Sequence, residues 1–308
     1  KTSALRQVFF VLLTKRLHKD TVSLMTEKNG VSYTGARIAI QGFRGSFHER
    51  AAYTFFGNDI EIVPCETFRD LFASFKNGKA DYAVCAIENS LAGSILPNYA
   101  LLGDTHVEIF GEVYLHIAMQ LMALQGQTLT EITEVHSHPV ALLQCQNFFA
   151  KHQTMHQVES VDTALSAKEI AEGKILNRAT VASTDAAEYY DLEILAENIH
   201  DNEKNFTRFL ALRPRTETIS QETATKASLS FRAHHTPGSL AKVLNIIGEH
   251  EINLSKIQSI PVVGEAWKYY MYVDLEFADY SSYKKALLEI EPYVTELYIL
   301  GEYPQGVK

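Results

Sequence analysis

From Arg37 onward the sequence alternates short apolar segments with capped helices, and this alternation limits the possible folds more than any other feature. Ser46 and Glu49, for example, form a capping box that opens a helix, which Gly57 ends. Strand–helix alternation predicts open α/β sheets, with a ligand expected between two such lobes at the carboxyl ends of their strands. The predicted strands are residues 38–40, 60–63, 82–87, 113–124, 180–182, 192–199 and 209–212, and the predicted helix starts are Ser46, Thr67, His138, Asp162 and Ser183.

A compact C-terminal unit follows a change in composition. Residues 214–225 are rich in Thr, Glu and Gln and have no hydrophobic periodicity, which is typical of a linker. Beyond them the predicted elements follow the order βαββαβ, as in a ferredoxin-like domain. We therefore predict an N-terminal extension (1–36), a two-lobe domain (37–213, with the second lobe at about 114–193), the linker (214–225) and a C-terminal domain (226–303).

Composition favours a globular protein and argues against several functional classes. The 308-residue chain is 46% hydrophobic and 21% charged, as expected for two or three globular domains. Its net charge of −9 and the lack of a basic stripe disfavour nucleic-acid binding. The cysteines Cys65, Cys85 and Cys145 form no C-x-x-C pair, which indicates a reduced, cytoplasmic protein.

The first 36 residues are predicted to be an appendage to the fold. Residues 8–13 are apolar but too few to span a membrane, and no small-residue cleavage site follows them, as a signal peptide requires. No convincing capped helix precedes the first predicted strand. A chain that begins near Gly35 is therefore expected to fold and to function normally.

The polar run at residues 199–209 lies between two predicted strands and ends in Asn205, Phe206, Thr207, Arg208 and Phe209. A strand mouth of this kind presents side chains to a cleft. Thr207 offers a hydroxyl that donates and accepts, and Arg208 offers a five-donor cation suited to a carboxylate. On these residues alone, a turn with a surface arginine is the alternative.

Four other polar segments are expected at the same cleft. They are Gly42 and Gly45 with Ser46, then Glu88-Asn89-Ser90, Ser137-His138-Pro139, and Asp162-Thr163. Each by itself favours a helix cap over a functional site. Metal chemistry is disfavoured, because His136 with His138 and His234 with His235 lack a third partner at metal-ligand spacing.

Taken together, these segments resemble the prephenate dehydratase family, and residues 226–303 resemble the ACT regulatory domain that this family carries. The resemblance covers roughly residues 37–303, in the family's motif order. The matching stretches are residues 42–52, 87–91, 137–139 with Ala141, Leu142, Gln144 and Cys145, 162–164, 205–209, and 237–240 with Asn253 and Leu254.

The chain departs from the family pattern at four positions. Ala86 stands where the family usually has proline, and Val140 where it usually has glutamine. In the ACT part, Gln258 and Ile260 replace the usual glutamate and arginine. Losing both charges together strands neither one, so dimerisation is expected to survive with altered ligand affinity.

The resemblance implies conversion of prephenate to phenylpyruvate with loss of carbon dioxide and water, under feedback control by phenylalanine. It implies no cofactor and no metal, because the aromatising ring itself accepts the electrons. It further implies a cytoplasmic homodimer or homotetramer formed through the ACT and catalytic domains, with no nucleic-acid or membrane partner. Arogenate dehydratase and a non-catalytic solute-binding protein are the alternatives.

The expected roles follow from the chemistry of the dianionic substrate. Thr207 is expected to give a proton or hydrogen bond to the departing ring hydroxyl. Arg208, or amides near Ser46 and Ser90, should clamp one carboxylate, and neutral donors should face the one that leaves. The predicted catalytic residues are Thr207, Arg208, Asn89 and Ser90; the predicted substrate-binding residues are Ser46, Phe47, Glu88, Ser137, His138, Asn205 and Phe209; the predicted phenylalanine-binding residues are Pro237, Gly238, Ser239, Leu240, Asn253 and Leu254.

Overall fold

In the computed structural model of the chain, the described residues are 32–104, 106–215, 223–234, 236–262 and 264–307. They form two α/β lobes around a cleft and a third, antiparallel sheet covered by helices, so the predicted fold class is confirmed. Most of the predicted N-terminal extension and most of the predicted linker lie outside the described residues. No described helix is long and apolar enough to cross a membrane.

The first lobe contains a mixed sheet in the order β2-β1-β3-β11-β5, with the short β4 paired to β3. Its strands are β1 (Ala36–Gln41), β2 (Ile60–Cys65), β3 (Tyr82–Asn89), β4 (Gly93–Ser94), β5 (Val107–His116) and β11 (Phe206–Pro214), and its helices are α1 (Phe47–Phe56), α2 (Phe68–Lys76) and α3 (Leu96–Asp104). Ser46 and Thr67 accept backbone N–H bonds as the caps of α1 and α2, as the sequence predicts.

The second lobe contains a five-stranded sheet in the order β10-β6-β9-β7-β8. Its strands are β6 (Gln120–Leu124), β7 (Glu134–Ser137), β8 (His156–Glu159), β9 (Arg178–Ala182) and β10 (Leu192–Ala196), and its helices are α4 (Pro139–Leu143), α5 (Gln146–Lys151), α6 (Thr163–Gly173) and α7 (Thr184–Tyr190), with a 3-10 turn at Leu129–Glu131. His138, Asp162 and Ser183 cap α4, α6 and α7.

The single strand predicted at residues 113–124 is wrong. The segment contains the end of β5 and all of β6, which belong to different sheets, and residues 117–119 cross between the lobes. A second crossing at residues 197–205 runs beside the first, where Ile117 N donates to Asn205 O at 2.7 Å and Ile199 N donates to Met119 O at 2.9 Å. Both strands are buried, so the apolar pattern does not show the break between them.

The strand predicted at residues 209–212 begins three residues earlier, as β11 at Phe206. Thr207 and Arg208 therefore lie within a paired strand and not in the loop before it. Because successive side chains of a strand point to opposite faces, Thr207 and Arg208 cannot enter the same cleft. This difference decides the assignment of the site described below.

The third sheet has the order β13-β14-β12-β15, and its elements follow the predicted βαββαβ order. It consists of β12 (Lys226–Ala233), α8 (Ser239–Glu249), β13 (Asn253–Pro261), β14 (Tyr269–Glu276), α9 (Tyr280–Ile290) and β15 (Val294–Tyr303), with a 3-10 turn at Glu291–Tyr293. β15 packs against β5 of the first lobe so closely that a Cβ on Gly301 would lie 2.0 Å from Ile109 O. Tyr272, Leu300 and Tyr303 share a core with that lobe.

The end of the predicted extension is packed on the first lobe. The ring of Tyr33 meets the rings of Phe56 and Tyr82 edge-on, at 4.9 and 5.3 Å between centroids. Tyr33, which lies within the predicted extension, therefore contributes to the aromatic core of the first lobe.

Two truncated proteins test this contact. A chain beginning at Ser32 keeps Tyr33 and is expected to match the full chain in stability. A chain beginning at Ala36 loses the buried ring and its edge contacts and is expected to be less stable by about 1–3 kcal/mol. Urea unfolding of the three proteins checks this, and equal midpoints for the two truncated chains would contradict it.

Candidate active site

A cavity of about 340 Å³ lies between the two lobes, beside the paired crossings. Described residues of both lobes line it, and among them there is no lysine or arginine. The lining residues are Gln41, Ser46, Phe47, His48, Phe68, Ala86, Asn89, Ala92, Ile95, Ile117, Met119, His138, Val140, Ala141, Gln144, Val161, Asp162, Thr163, Thr207 and Phe209. In the described part of the chain, no group of three or more His, Cys, Asp or Glu side chains is placed to hold a metal ion.

Thr207 and Asn89 form the polar centre of the cavity. They lie opposite each other on the neighbouring strands β11 and β3. Asn89 Nδ2 donates to Thr207 Oγ1 at 3.0 Å, so the threonine oxygen already accepts a bond from the protein. The Thr207 proton is therefore available for an acceptor in the cavity.

Asn89 is held so that its amide can point in only one way. Its Oδ1 accepts from the backbone N–H groups of Leu91 at 3.0 Å and Ala92 at 2.8 Å. Its Nδ2 also donates to Asn205 Oδ1 at 2.8 Å. With its donors and acceptors occupied, Asn89 orients Thr207, and the expectation that Asn89 donates to a departing carboxylate is corrected.

Asn205 and Gln144 hold Asn89 in place by hydrogen bonds to its side-chain amide. Asn205 is fully buried, and its Nδ2 donates to Gln144 Oε1 at 2.8 Å. Gln144 Nε2 in turn donates to Asn89 Oδ1 at 3.2 Å. Asn205 comes from the second crossing and Gln144 from the second lobe, so the network joins both lobes beside the cavity. Gln144 is a member of the site that the sequence prediction missed.

Two helices of different lobes begin at the cavity. Ser46 caps α1, and Asp162 caps α6, where Asp162 Oδ1 accepts from Leu165 N at 2.9 Å. Gly42 has a φ of +99°, and a Cβ there would lie 2.8 Å from Asp162 Oδ2, so only glycine allows this approach of the lobes. Helix N-termini present free N–H groups and attract anions. Burial raises the pKa of the Asp162 carboxyl.

His48 forms part of the cavity wall, and the sequence prediction missed it as a site residue. Ala86 N donates to His48 Nε2 at 3.2 Å, and the imidazole stands edge-on to Phe209 at 5.0 Å between centroids. Burial lowers the pKa of His48 to about 3, so the ring is neutral with its proton on Nδ1. The sequence signal for this contact is Ala86, which stands where the family usually has proline. A proline there would have no N–H to donate to His48.

The buried, neutral His48 makes a testable contribution to pH dependence. Its folded pKa lies below the ordinary value, so only the unfolded chain binds this proton as the pH falls from about 6.5 toward 3. Stability from this residue is present above that range and is lost on acidification. Between pH 7.5 and 5, wild type is expected to lose about 2 kcal/mol more than His48→Gln.

Urea unfolding at the two pH values checks this, with His156→Gln as the control because His156 is an exposed histidine. The control is expected to behave like wild type. The same loss of stability in all three proteins would contradict the assignment of His48 as a buried neutral group.

The remaining predicted substrate contacts are divided by the structure. Ser46, Phe47, His138 and Phe209 line the cavity as expected. Ser90 and Ser137 do not, because Ser90 Oγ donates to Lys204 O at 2.8 Å and Ser137 Oγ donates to Val181 O at 2.6 Å. The expectation that these two serines contact substrate is corrected, because each hydroxyl donates to a backbone carbonyl instead.

Arg208 points away from the cavity and is 5% exposed. Its Nε donates to Glu112 Oε2 at 2.7 Å, its Nη2 donates to Tyr303 Oη at 2.9 Å, and its Nη1 contacts Asp274. Burial by itself lowers the pKa of the guanidinium, but Asp274, Tyr303 and Glu112 raise it well above its ordinary value. The expectation that Arg208 clamps a substrate carboxylate is therefore corrected.

Glu88 lies on the same side as Arg208, outside the cavity. Its Oε1 accepts from Lys256 Nζ of the third sheet at 2.6 Å. Because Glu88 is adjacent to Asn89 in β3, strand alternation sends its carboxylate to the opposite face. The expected contact of Glu88 with substrate is corrected accordingly.

The predicted phenylalanine-binding residues fall into two groups. Residues 237–240 line a cavity of about 750 Å³ in the third sheet, together with Trp267 and Tyr269. Asn253 and Leu254 are not part of that lining, and Asn253 Nδ2 donates to Glu276 Oε2 at 3.0 Å. A single chain does not bring the two groups together.

Comparison with known proteins gives two family matches that together cover most of the chain. The family model described as prephenate dehydratase matches residues 38–217, and the model described as ACT domain matches residues 227–279. The chain is 38% identical to arogenate dehydratase/prephenate dehydratase 2, chloroplastic, of Arabidopsis thaliana, over 87% of this chain and 72% of the relative.

Two solved structures share the fold across nearly the same extent. GqqA, described as a novel type of quorum-quenching acylase, has a TM-score of 0.79 at 30% identity and covers 87% of this chain and 98% of its own. Prephenate dehydratase from Arthrobacter aurescens in complex with L-Phe has a TM-score of 0.78 at 24% identity, covering 87% of this chain and 90% of its own. The latter similarity establishes the fold alone.

Proposed function

The chain belongs to the prephenate dehydratase family and carries its ACT domain, and we propose that the cavity between its two lobes is where prephenate loses carbon dioxide and water to give phenylpyruvate. The observation that carries this proposal is the bond from Asn89 Nδ2 to Thr207 Oγ1 at 3.0 Å. Because the threonine oxygen accepts that bond, its proton can be donated to a substrate atom in the cavity, where Asn89 and Thr207 are each 9% exposed.

The difficult step is the departure of the ring hydroxyl, because hydroxide is a poor leaving group. A hydrogen bond from Thr207 to that oxygen stabilises the charge that develops as the C–O bond breaks; if the proton itself is transferred, water leaves and solvent returns a proton to the Thr207 oxygen. Asn89 strengthens this donation by occupying the acceptor side of the threonine oxygen. The electron pair of the C–C bond between the ring and the departing carboxylate moves into the ring. The ring becomes aromatic as carbon dioxide leaves and the electron pair of the C–O bond departs with the hydroxyl oxygen.

The cavity binds the two carboxylates of the substrate in different ways. The amides at the start of α1, with the Ser46 hydroxyl, and those at the start of α6 bind the carboxylate that stays. The carboxylate that leaves meets no fixed cation, since the lining includes no lysine or arginine. Strong pairing there would stabilise the ground state and slow the reaction.

Purified protein without added cofactor tests the proposal by formation of phenylpyruvate from prephenate. Arogenate is assayed in parallel, because the Arabidopsis relative carries both activities in its name. Preference for prephenate by kcat/KM is expected; a preference for arogenate would select the arogenate dehydratase alternative. Binding of either compound without turnover would select the non-catalytic alternative.

Regulation by phenylalanine, an oligomer built through the ACT domains and a cytoplasmic location complete the proposal. The ACT match and the cavity at residues 237–240 support the regulatory ligand. Contact of the same ligand with Asn253 and Leu254 would need a second chain, so the proposal includes at least a homodimer. Three buried free cysteines fit a reducing compartment.

Calorimetry with L-phenylalanine tests the regulatory part. Leu240→Ala removes an apolar wall of the ACT cavity and is expected to weaken binding by about 10- to 100-fold. Leu288→Ala is the control, because Leu288 is 69% exposed on α9 of the same domain. No heat with the wild-type chain, or equal affinities for the two variants, would remove the regulatory role of this cavity.

A further inference from the structure

The catalytic pair has a second pair of residues directly behind it. In the register of β3 and β11, Thr207 is opposite Asn89 and Arg208 is opposite Glu88. Strand alternation places the first pair in the cavity and the second pair on the reverse face of the same two strands. A shift of Arg208 and Glu88 relative to each other therefore also moves Thr207 relative to Asn89.

The ACT domain binds both members of this second pair. Arg208 Nη1 contacts Asp274 of β14, and Glu88 Oε1 accepts from Lys256 Nζ of β13 at 2.6 Å. Asp274 and Lys256 are themselves opposite each other in the register of β13 and β14. Two cross-strand neighbours of one sheet thus form ion pairs with two cross-strand neighbours of the other. We call these two contacts the back-face ion pairs.

Each back-face ion pair is anchored by further polar contacts. Lys256 Nζ also donates to Ser94 Oγ at 2.8 Å, and Ser94 lies in β4, which is paired with β3. Asp274 Oδ1 accepts from Ser228 Oγ at 2.5 Å. Three of the four charged side chains are shielded from water, since Arg208, Asp274 and Lys256 are 5%, 8% and 10% exposed, while Glu88 is 36% exposed. Shielded charged contacts hold a defined geometry, unlike flexible surface pairs.

The register of β13 shifts between Leu254 and Lys256. An irregularity of this kind redirects the side chains that follow it. Asn253 and Leu254, which are predicted to contact phenylalanine, directly precede this shift. Leu254 is two residues from Lys256, whose ion pair with Glu88 binds β3.

We propose that Lys256 and Asp274 are positioning residues for the dehydration, which act through Glu88 and Arg208 to set the hydrogen bond between Asn89 and Thr207. The proposal rests on the function proposed above. Neither residue contacts the cavity, so their effect is on turnover and not on substrate affinity.

The test uses the full chain and the Glu88–Lys256 pair, which is the less buried of the two. Lys256→Met and Glu88→Gln are each expected to lower kcat about tenfold while KM stays within about twofold, and the double variant is expected to be no slower than either single variant. Lys256→Arg keeps the charge and is expected to recover most of the turnover. Lys284→Met is the control, since Lys284 pairs with Glu302 at 3.8 Å on another face of the domain.

A second readout does not depend on activity. The side-chain amide resonance of Asn89, assigned by its loss in Asn89→Asp, is expected to shift in Lys256→Met and to stay in place in Lys284→Met. An unchanged kcat and an unmoved resonance in Lys256→Met would overturn the proposal, as would additive losses in the double variant. If the wild type makes no phenylpyruvate but the resonance shifts, positioning stands and the proposed function falls.

Discussion

Replacing Thr207 with alanine is expected to lower kcat for phenylpyruvate formation by about 10²- to 10⁴-fold, the usual loss for a positioned proton donor. The cavity keeps its shape, because Thr207 is partly accessible to it and Asn89 retains its bonds to Asn205 and to the backbone. KM is therefore expected to change little. Steady-state kinetics on the folded variant give the result.

Two further variants sharpen this prediction. Thr207→Ser keeps the hydroxyl and is expected to retain part of the activity. Thr54→Ala removes a threonine hydroxyl that donates to Arg50 O at 2.8 Å in α1, outside the cavity, and is expected to behave like wild type. An alanine variant at position 207 with near wild-type turnover would show that another group protonates the leaving hydroxyl.

Replacing Arg208 with methionine is expected to destabilise the protein by about 3–5 kcal/mol, because removing one partner of a buried ion pair strands the others. Glu112 and Asp274 would then face each other across the interface between the first lobe and the ACT domain, with Lys226 the nearest remaining cation, 3.1 Å from Glu112 Oε1. Urea unfolding at pH 7 measures the change.

The control is Arg37→Met, which breaks an ion pair whose partners are 39% and 42% exposed. Exposed pairs contribute about 1 kcal/mol or less, so this variant is expected to unfold near the wild-type midpoint. Equal midpoints for Arg208→Met and Arg37→Met would contradict the structural role of Arg208. A selective loss of substrate affinity in Arg208→Met with unchanged stability would instead support the original expectation that Arg208 binds a substrate carboxylate.

The Arg208–Asp274 pair contributes to the pH dependence of stability in a more acidic range than His48 does. Burial by itself raises the pKa of Asp274, but the charge and hydrogen bond of Arg208 outweigh burial and lower it below its ordinary value. A carboxylate with a lowered folded pKa stabilises the protein above its unfolded pKa of about 3.9. That contribution is lost as the pH falls through the folded value, so strong acid is expected to weaken the contact between the first lobe and the ACT domain.

Most of the architecture follows from local sequence patterns. The caps at Ser46, Thr67, Asp162 and Ser183 fix where helices begin, and each cap bond is present in the structure. Local patterns cannot show which sheet a buried strand joins. The crossing at residues 117–119 was missed for that reason, since apolar residues on both sides read as one strand.

The side that Arg208 faces depends on long-range contacts. Because β11 begins three residues earlier than predicted, Thr207 and Arg208 both lie within the strand. Their side chains therefore point to opposite faces of the sheet, although the two residues are adjacent in sequence. The partners Asp274 and Tyr303 are 66 and 95 residues away in sequence, so no local pattern points to them. Glu88 was misplaced for the same reason, because Lys256 is 168 residues away.

The central claim is that Thr207 faces the ring hydroxyl of prephenate while Arg208 stays paired behind the strand. A crystal structure of Thr207→Val with prephenate bound tests it most directly, because valine keeps the shape of threonine without the donor. We expect the ring oxygen in contact with residue 207, a carboxylate at the N-terminus of α1 or α6, and Arg208 still bound to Asp274. Prephenate bound elsewhere, or with a carboxylate on Arg208, would contradict it.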